Sequence, residues 1–522
     1  MISRPWASIN APPEKKTETA SEKGKPIEEY TIEGRGEHVR GKVRISESDE
    51  EKRPVYHVSL DEVGPYTRAY LEHVKSEASN VLTLDTLEKS KEGSPVFFEA
   101  RYNAVADIIR KDLKASADIL DALATMVINE MFGLGELEAL IGDSRLEEIV
   151  INSAIFPVSV YHRKFGWLKT NVYMDSETNT ENVAAQIARK VGRQISTLNP
   201  ILDARLSTGD RANATLYPIS ALGNTITLRL FSKNPWTIVS YLKKDQKTMS
   251  VEMAALIWQA MQYEMNIVIA GGTASGKTSA LNGMLALVPP YQRLVTIEDT
   301  RELALPSYQW NWVPLITRPP NPEGFGEVTM LDLVVNALRM RPDRIVMGEI
   351  RRKREAEVLF EAMHTGHSVY ATLHADTGTQ VIKRLIEPPI EIPPSEIDDI
   401  HLLLVQYRDR RRNIRRTLEL SEIVPGTESP ELNRIFIWKP RTDTFDMVKQ
   451  PHRYIEQMNL HTGMTDKEIN DDQENKKKIL EWMVANGLDK VDDVGKVMKI
   501  YYSEADTILE AAVNGTPPSK VL

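Results

Sequence analysis

The sequence predicts an α/β protein: a P-loop nucleotide-binding domain with a mostly parallel sheet, preceded by a smaller α+β domain. A polar tail is expected at the N-terminal end and a helical appendage at the other. Three observations carry this. Gly271-Gly272-Thr273-Ala274-Ser275-Gly276-Lys277-Thr278 matches G-x-x-x-x-G-K-[ST], follows the apolar run Ile267-Val268-Ile269-Ala270 and precedes a helix-like stretch at 279–287. Strand, loop and helix in that order separate a phosphate-binding loop from a chance Gly-rich turn. Strand-like and helix-like segments then alternate to about Val424, the sign of a mostly parallel sheet. The chain's 522 residues exceed one ordinary core, so two or three domains are expected.

The elements are expected in this order. Residues 1–54 carry eleven basic and eleven acidic residues up to Arg53 and too little apolar surface to fold alone, so they read as a disordered mixed-charge tail. Residues 55–60 alternate weakly, as in a short strand, and 65–79 read as a helix. Residues 102–140 are largely helical, with Ile108, Ile109, Leu113, Ile119, Leu120, Leu123 and Val127 at near-helical spacing. Together, 55–140 form a small helix-rich region. Strands at 149–152, 158–162 and 167–172, a helix at 180–191, and strands at 215–218 and 225–231 make an α+β domain over 141–235. Pro235 and the cluster Lys243, Lys244, Lys247 mark a linker at 236–248. A helix at 251–263 leads into the phosphate-loop strand of a domain spanning 249–425. The extension 426–522 is expected to be mostly helical, with Ile479, Trp482 and Met483 on one buried face.

Composition narrows the class. Apolar residues make up 41%, as in ordinary globular proteins, and the net charge of −9 offers no global basic footprint for nucleic acid. With no cysteine, disulfides and cysteine-ligated zinc are excluded, and a reducing cytoplasm fits. No apolar run reaches about eighteen residues, and no segment near Met1 resembles a secretory signal, so a membrane role is expected to be peripheral.

The loop predicts the chemistry. Backbone N–H groups wrap phosphates, Lys277 neutralises the β and γ phosphates, and Thr278 places its hydroxyl on Mg²⁺. Three further stations follow. Leu294-Val295-Thr296-Ile297-Glu298-Asp299-Thr300 is a β-rich run ending in two carboxylates, and ligands sit at the carboxyl ends of strands in such sheets. Arg344-Ile345-Val346-Met347-Gly348-Glu349 is an apolar strand ending in one carboxylate, with Gly348 where Asp is common. Glu349 therefore serves alone, through water on Mg²⁺ or by polarising the attacking water, with Glu298 as its rival. Gly366-His367-Ser368-Val369-Tyr370-Ala371-Thr372-Leu373-His374-Ala375-Asp376 carries two histidines around a strand. His374, past the strand end, is placed to sense a γ-phosphate; His367 lies farther away. The turn Arg408-Asp409-Arg410-Arg411-Arg412-Asn413-Ile414-Arg415-Arg416 is the strongest basic cluster, read first as a solvated hairpin tip and next as a contact for anionic lipid or acidic protein loops.

In order and spacing, these stations resemble the Walker A, Asp box, Walker B and His box of the secretion ATPases of type II and type IV secretion and pilus systems. The resemblance spans about 133–424 and is nearest the archaeal branch, which powers archaella and archaeal pili. Tyr161-His162-Arg163-Lys164-Phe165-Gly166-Trp167-Leu168-Lys169-Thr170-Asn171 and Thr296-Ile297-Glu298-Asp299-Thr300-Arg301-Glu302-Leu303 look especially like that branch. The resemblance implies a RecA-like ATPase domain, ATP and Mg²⁺ as cofactors, and a homo-hexamer. It further implies a cytoplasmic position at the inner face of the membrane, a polytopic platform protein as partner, and pilin or archaellin subunits moved indirectly. It carries a phosphate-contacting role to Arg205 and Arg211, within Asp203-Ala204-Arg205-Leu206-Ser207-Thr208-Gly209-Asp210-Arg211-Ala212-Asn213-Ala214, and to Arg229. Two departures stand out: no tetracysteine zinc module is present, and Glu349-Ile350-Arg351-Arg352-Lys353-Arg354 is unusually basic. The competing readings are a RecA-like nucleic-acid translocase of a conjugation or DNA-transport system, and a nucleotide-binding scaffold without hydrolysis.

Overall fold

Period-two burial organises the first half of the chain and fully buried strands organise the second. The computed structural model describes residues 25–33, 40–48, 52–60, 64–81, 95–131, 133–134, 137–206, 209–231, 235–320, 324–412, 414–426 and 429–522. The chain divides after Lys233 into two compact units.

The first unit begins with strands β1 (Pro26–Glu33), β2 (Arg40–Ser48) and β3 (Arg53–Leu60). Helices α1 (Pro65–Val81), α2 (Pro95–Asp112), α3 (Ala117–Met131) and α4 (Leu137–Gly142) follow. Then come β4 (Leu146–Ile151), β5 (Pro157–His162), β6 (Gly166–Tyr173), α5 (Glu177–Lys190), β7 (Ile201–Arg205), β8 (Arg211–Thr215) and β9 (Thr225–Arg229). The strands form one sheet in the order β1-β2-β3-β6-β5-β4-β9-β8-β7, antiparallel except at β3–β6. One face is buried: Val158 and Val160 in β5, Ala212 and Ala214 in β8, and Ile226 and Leu228 in β9 pack with Val183, Ala184 and Ile187 of α5. That alternation is what a half-solvated antiparallel sheet requires. Helices α1 to α3 close a separate core around Val74, Val105, Ile109 and Val127.

The expected tail at 1–54 is corrected here. Ile32, Val43 and Ile45 are buried, and Tyr30 and Tyr56 both donate to Asp143 Oδ2, at 2.6 and 2.8 Å. Glu29, Lys42 and Arg44 alternate with these residues, and Glu28 on their side is paired with Arg145 and Lys164, so composition hid a period of two. The part of the expected tail at 1–24 lies outside the described residues. The strand expected at 215–218 ends at Thr215, and β7 and most of β8 were not expected.

The second unit contains α6 (Ile238–Leu242), α7 (Val251–Gln262), β10 (Ile267–Gly271), α8 (Lys277–Leu285), β11 (Leu294–Glu298), β12 (Trp312–Ile316) and α9 (Met330–Ala337). It continues with β13 (Arg344–Met347), α10 (Lys353–His364), β14 (Ser368–Leu373), α11 (Gly378–Ile386) and α12 (Pro394–Ile397). It ends with β15 (Leu402–Asp409), β16 (Ile414–Val424), β17 (Glu431–Lys439), β18 (Thr444–Met447), α13 (His452–Thr462), α14 (Asp466–Ala485), α15 (Val491–Tyr501) and α16 (Ala505–Asn514). The sheet order is β12-β11-β13-β14-β10-β15-β16-β17-β18, parallel from β12 to β15 and antiparallel beyond. Every residue of β10, β11, β13 and β14 is buried, as strands covered on both faces must be. This is the RecA-like α/β arrangement, with β10 lying centrally between β14 and β15.

Two boundaries are corrected. The expected linker at 236–248 holds α6, whose Thr237–Ser240 capping box is buried and whose Thr237 hydroxyl donates to Asp489 O at 2.9 Å. Ile238, Val239 and Tyr241 belong to the core. The expected extension at 426–522 first supplies β17 and β18 and then four helices that roof one face of the sheet. Gln259 donates to Ile469 O at 3.0 Å and to Asp472 Oδ2 at 2.6 Å, and Lys476, fully buried, pairs with Asp472. The expected helical C-terminal region is present, and these helices pack into the domain core.

Candidate functional site

The loop Gly271–Thr278 leaves the carboxyl end of β10 and runs into the N-terminus of α8, where unpaired N–H groups favour an anion. Its glycines are dictated by space and backbone. A Cβ on Gly271 would lie 2.3 Å from Ser275 Oγ and 2.5 Å from Gln406 O; on Gly272 it would lie 2.5 Å from Asp376 Oδ1. Gly276, the N-cap of α8, has φ +96°, a left-handed conformation that costs glycine nothing. Ala274 takes φ +58° without that freedom. Thr273 Oγ1 lies 3.2 Å from His374 Nε2, so the sequence-predicted histidine touches the loop. His367 instead sits at the other end of β14, against Thr365 and Ala362 O.

Lys277 Nζ donates to the loop's own carbonyls, Gly271 O at 3.0 Å and Gly272 O at 3.3 Å. Burial pushes its pKa below the ordinary lysine value, against the opposing pull of Glu349, Asp376 and Glu302. Thr278, half-buried, occupies the next position of α8. Its hydroxyl is an oxygen donor of the kind that Mg²⁺ takes.

The structure separates the two rival acids. Glu298, at the end of β11, is 2% exposed. Its Oε1 accepts the N–H groups of Glu302 at 2.8 Å and Leu303 at 3.1 Å, and its Oε2 is buried with no partner among the described residues. Burial pushes its pKa up to about 7, against those backbone bonds. Glu349 follows β13, and Arg351 clamps it: Nε and Nη2 reach Glu349 Oε2 at 2.8 and 2.7 Å, while Nη1 bonds Asp299 Oδ2. Farther along the same basic run, Lys353 pairs with Glu391 and Arg354 with Glu357. Sequence reasoning missed Arg351; its spacing two residues after the acid was the available signal.

In the first unit, antiparallel register aligns Arg205 opposite Arg211 and Arg211 opposite Arg229. All three lie on the face not facing the core, because Ala204, Ala212 and Leu228 alternate inward. Asp203 holds Arg211 in a two-point bond at 3.1 and 2.8 Å, and that bond sets the Asp203 carboxyl below its usual pKa. The three arginines thus stand side by side on neighbouring strands.

Residues 163–399 match the family model described as "Type II/IV secretion system protein". An uncharacterized protein of Methanocaldococcus jannaschii is 32% identical over 444 residues, 83% of this chain and 78% of its own. The type IV secretion system protein VirB11 of Bartonella quintana is 28% identical over 313 residues, 53% of this chain and 86% of its own. Among solved structures, the Legionella pneumophila ATPase DotB is 19% identical, with a TM-score of 0.37, over 66% of this chain and 85% of its own. No helix among the described residues is long and apolar enough to cross a membrane.

Proposed function

The chain belongs to the type II/IV secretion system protein family, and from that premise we propose that it is an ATP-hydrolysing motor of filament assembly or protein secretion. One observation carries the reading: a loop with no room for a Cβ at Gly271 or Gly272 leaves the end of β10 and turns Lys277, at the start of α8, back over its own carbonyls. Backbone N–H groups at the start of α8 and the Lys277 ammonium hold the phosphates. Thr278, with Glu349 acting directly or through water, holds Mg²⁺, which when bound offsets charge on the phosphates. Glu349, released from or poised by Arg351, orients and polarises water for in-line attack. Glu298 is protonatable near neutrality and committed to the 302–303 turn, so it takes the lesser share. His374, bonded to Thr273, reads the γ-phosphate. Arg205, Arg211 and Arg229 supply positive charge from the first unit as the transition state forms.

In this reading the working form is a homo-hexamer at the cytoplasmic face of a membrane. It acts on a polytopic platform protein, and pilin- or archaellin-like subunits are its indirect cargo. The test is ATP hydrolysis against protein concentration, with single-stranded DNA and then anionic vesicles added, and Lys277→Ala as blank. Activity that rises cooperatively with concentration, ignores DNA and vanishes in the blank is expected. Strong stimulation by DNA would transfer the reading to a nucleic-acid translocase. Nucleotide binding without hydrolysis in any condition would overturn the motor.

A further inference from the structure

The hairpin of β15 and β16 runs directly against the phosphate loop. Gln406 of β15 pairs with Gly271, and its carbonyl is the backbone atom that forbids a Cβ there. Two residues farther on, Arg408 lies opposite Arg415 in the β15–β16 ladder. Like charges directly opposite each other destabilise a ladder. Arg416, on the other side of the strand, is neutralised by a two-point bond to Asp443 at 2.7 and 2.8 Å. Among the described residues, Arg415 has no such carboxylate. Among the described residues its guanidinium makes one hydrogen bond, from Nε to Ala274 O in the loop at 3.2 Å. An arginine carries five N–H donors, so most of its capacity is unused by the described residues. Its Cδ is the atom nearest a Cβ built on Gly276, at 3.6 Å.

The placement also says which end of the loop Arg415 serves. β15 borders β10 on the side opposite β14, and β13 lies beyond β14, so His374 after β14 and Glu349 after β13 stand on the far side of the loop. Arg415 thus meets the loop at Ala274 and Gly276 from the side away from Glu349.

We propose that Arg415 is a nucleotide-binding residue that contacts the α-phosphate, the one joined to the ribose, from the β15–β16 hairpin, with Arg408 across the ladder adding to the positive field. The proposal rests on the reading of this loop as an ATP site. A residue at the α-phosphate strengthens ATP and ADP binding alike and contributes little to the chemical step. It also couples the hairpin to the presence of nucleotide, because the guanidinium already bridges the two.

Equilibrium binding of ADP, a slowly hydrolysed ATP analogue and inorganic phosphate should be measured on the full chain, wild type and Arg415→Gln, with Arg415→Lys and Lys277→Ala alongside. Arg415→Gln should weaken ADP and the ATP analogue by a similar factor, about tenfold for one charge-assisted bond. Arg415→Lys should recover part of that loss. Inorganic phosphate, a single phosphate with no α-phosphate beside it, should bind wild type and Arg415→Gln equally while Lys277→Ala weakens all three. Equal loss of inorganic phosphate would show that Arg415 only shapes the loop and would overturn the proposal. Unchanged ADP affinity in Arg415→Gln would overturn it too, with the ATP site intact. A wild-type chain that binds none of the three would overturn this proposal together with the ATP reading. Thermal unfolding of each variant separates these outcomes from misfolding, since a misfolded Arg415→Gln leaves Arg415→Lys to decide.

Discussion

At the residue scale, Glu298 and Glu349 show how environment divides two carboxylates that look alike in sequence. Both end a strand of the same sheet, but Glu298 is buried with one oxygen unpartnered, whereas Glu349 is held by a guanidinium. The raised pKa of Glu298 has a consequence for stability. Its folded value, about 7, lies above the ordinary 4.5, so the protonated form favours the folded state. That contribution is complete below pH 4.5 and is lost as pH climbs to about 7. Glu298→Gln, which does not titrate, should therefore gain on wild type across that window, by up to roughly 3 kcal/mol for a shift of this size. Denaturant unfolding of both proteins at pH 5 and pH 8 measures it; parallel pH dependence in the two would show that the burial is relieved in solution. Glu349 was readable as an acid in sequence, but its clamp by Arg351 was not, because a basic run gives no hint of which acids it meets.

At the element scale, the loop separates two glycines that the motif treats alike. An alanine at Gly271 meets the Gln406 carbonyl, a backbone atom fixed in the β10–β15 ladder, at 2.5 Å. An alanine at Gly272 meets only Asp376 Oδ1, the tip of an exposed side chain, at the same distance. Gly271→Ala should abolish nucleotide binding or displace β15, while Gly272→Ala should weaken binding only severalfold, with Asp376 turning aside. Isothermal titration with ADP decides between them, and equal losses would mean that Asp376 is itself fixed. The loop was legible in sequence because its signal is local: eight consecutive residues between an apolar strand and a helix. Strands β7 and β8 were not, since Leu202, Ala204, Ala212 and Ala214 are too few and too small to make a period of two stand out. The same holds for α6: Thr237 and Ser240 look like linker polarity until their capping box and the Asp489 carbonyl show that they are buried. Arg415 was visible only as part of a basic turn, because its meeting with Ala274 spans 141 residues of chain.

At the scale of the whole molecule, the phosphate loop and the arginine row belong to different compact units. If the first unit supplies charge only as hydrolysis proceeds, binding and turnover must separate under mutation. Arg211→Gln should leave ADP affinity of the full chain within about threefold of wild type, since Lys277 and the loop are untouched. The same change should lower kcat by about a hundredfold or more, the usual scale for losing a cation from a charge-developing site. Asp203→Asn provides the control. It frees Arg211 from its two-point bond without removing the guanidinium, so turnover should fall far less than in Arg211→Gln. An ADP affinity that collapses in Arg211→Gln would place the row in ground-state binding. Turnover unchanged in that variant would remove Arg211 from the reaction and leave its alignment with Arg205 and Arg229 as a feature of the sheet alone. The assay is best run across protein concentration, because an arginine supplied between copies and one supplied within a copy predict different outcomes when Arg211→Gln is mixed with Lys277→Ala. Recovery of activity in the mixture, with neither variant active alone, would require that the loop of one copy meet the arginines of another.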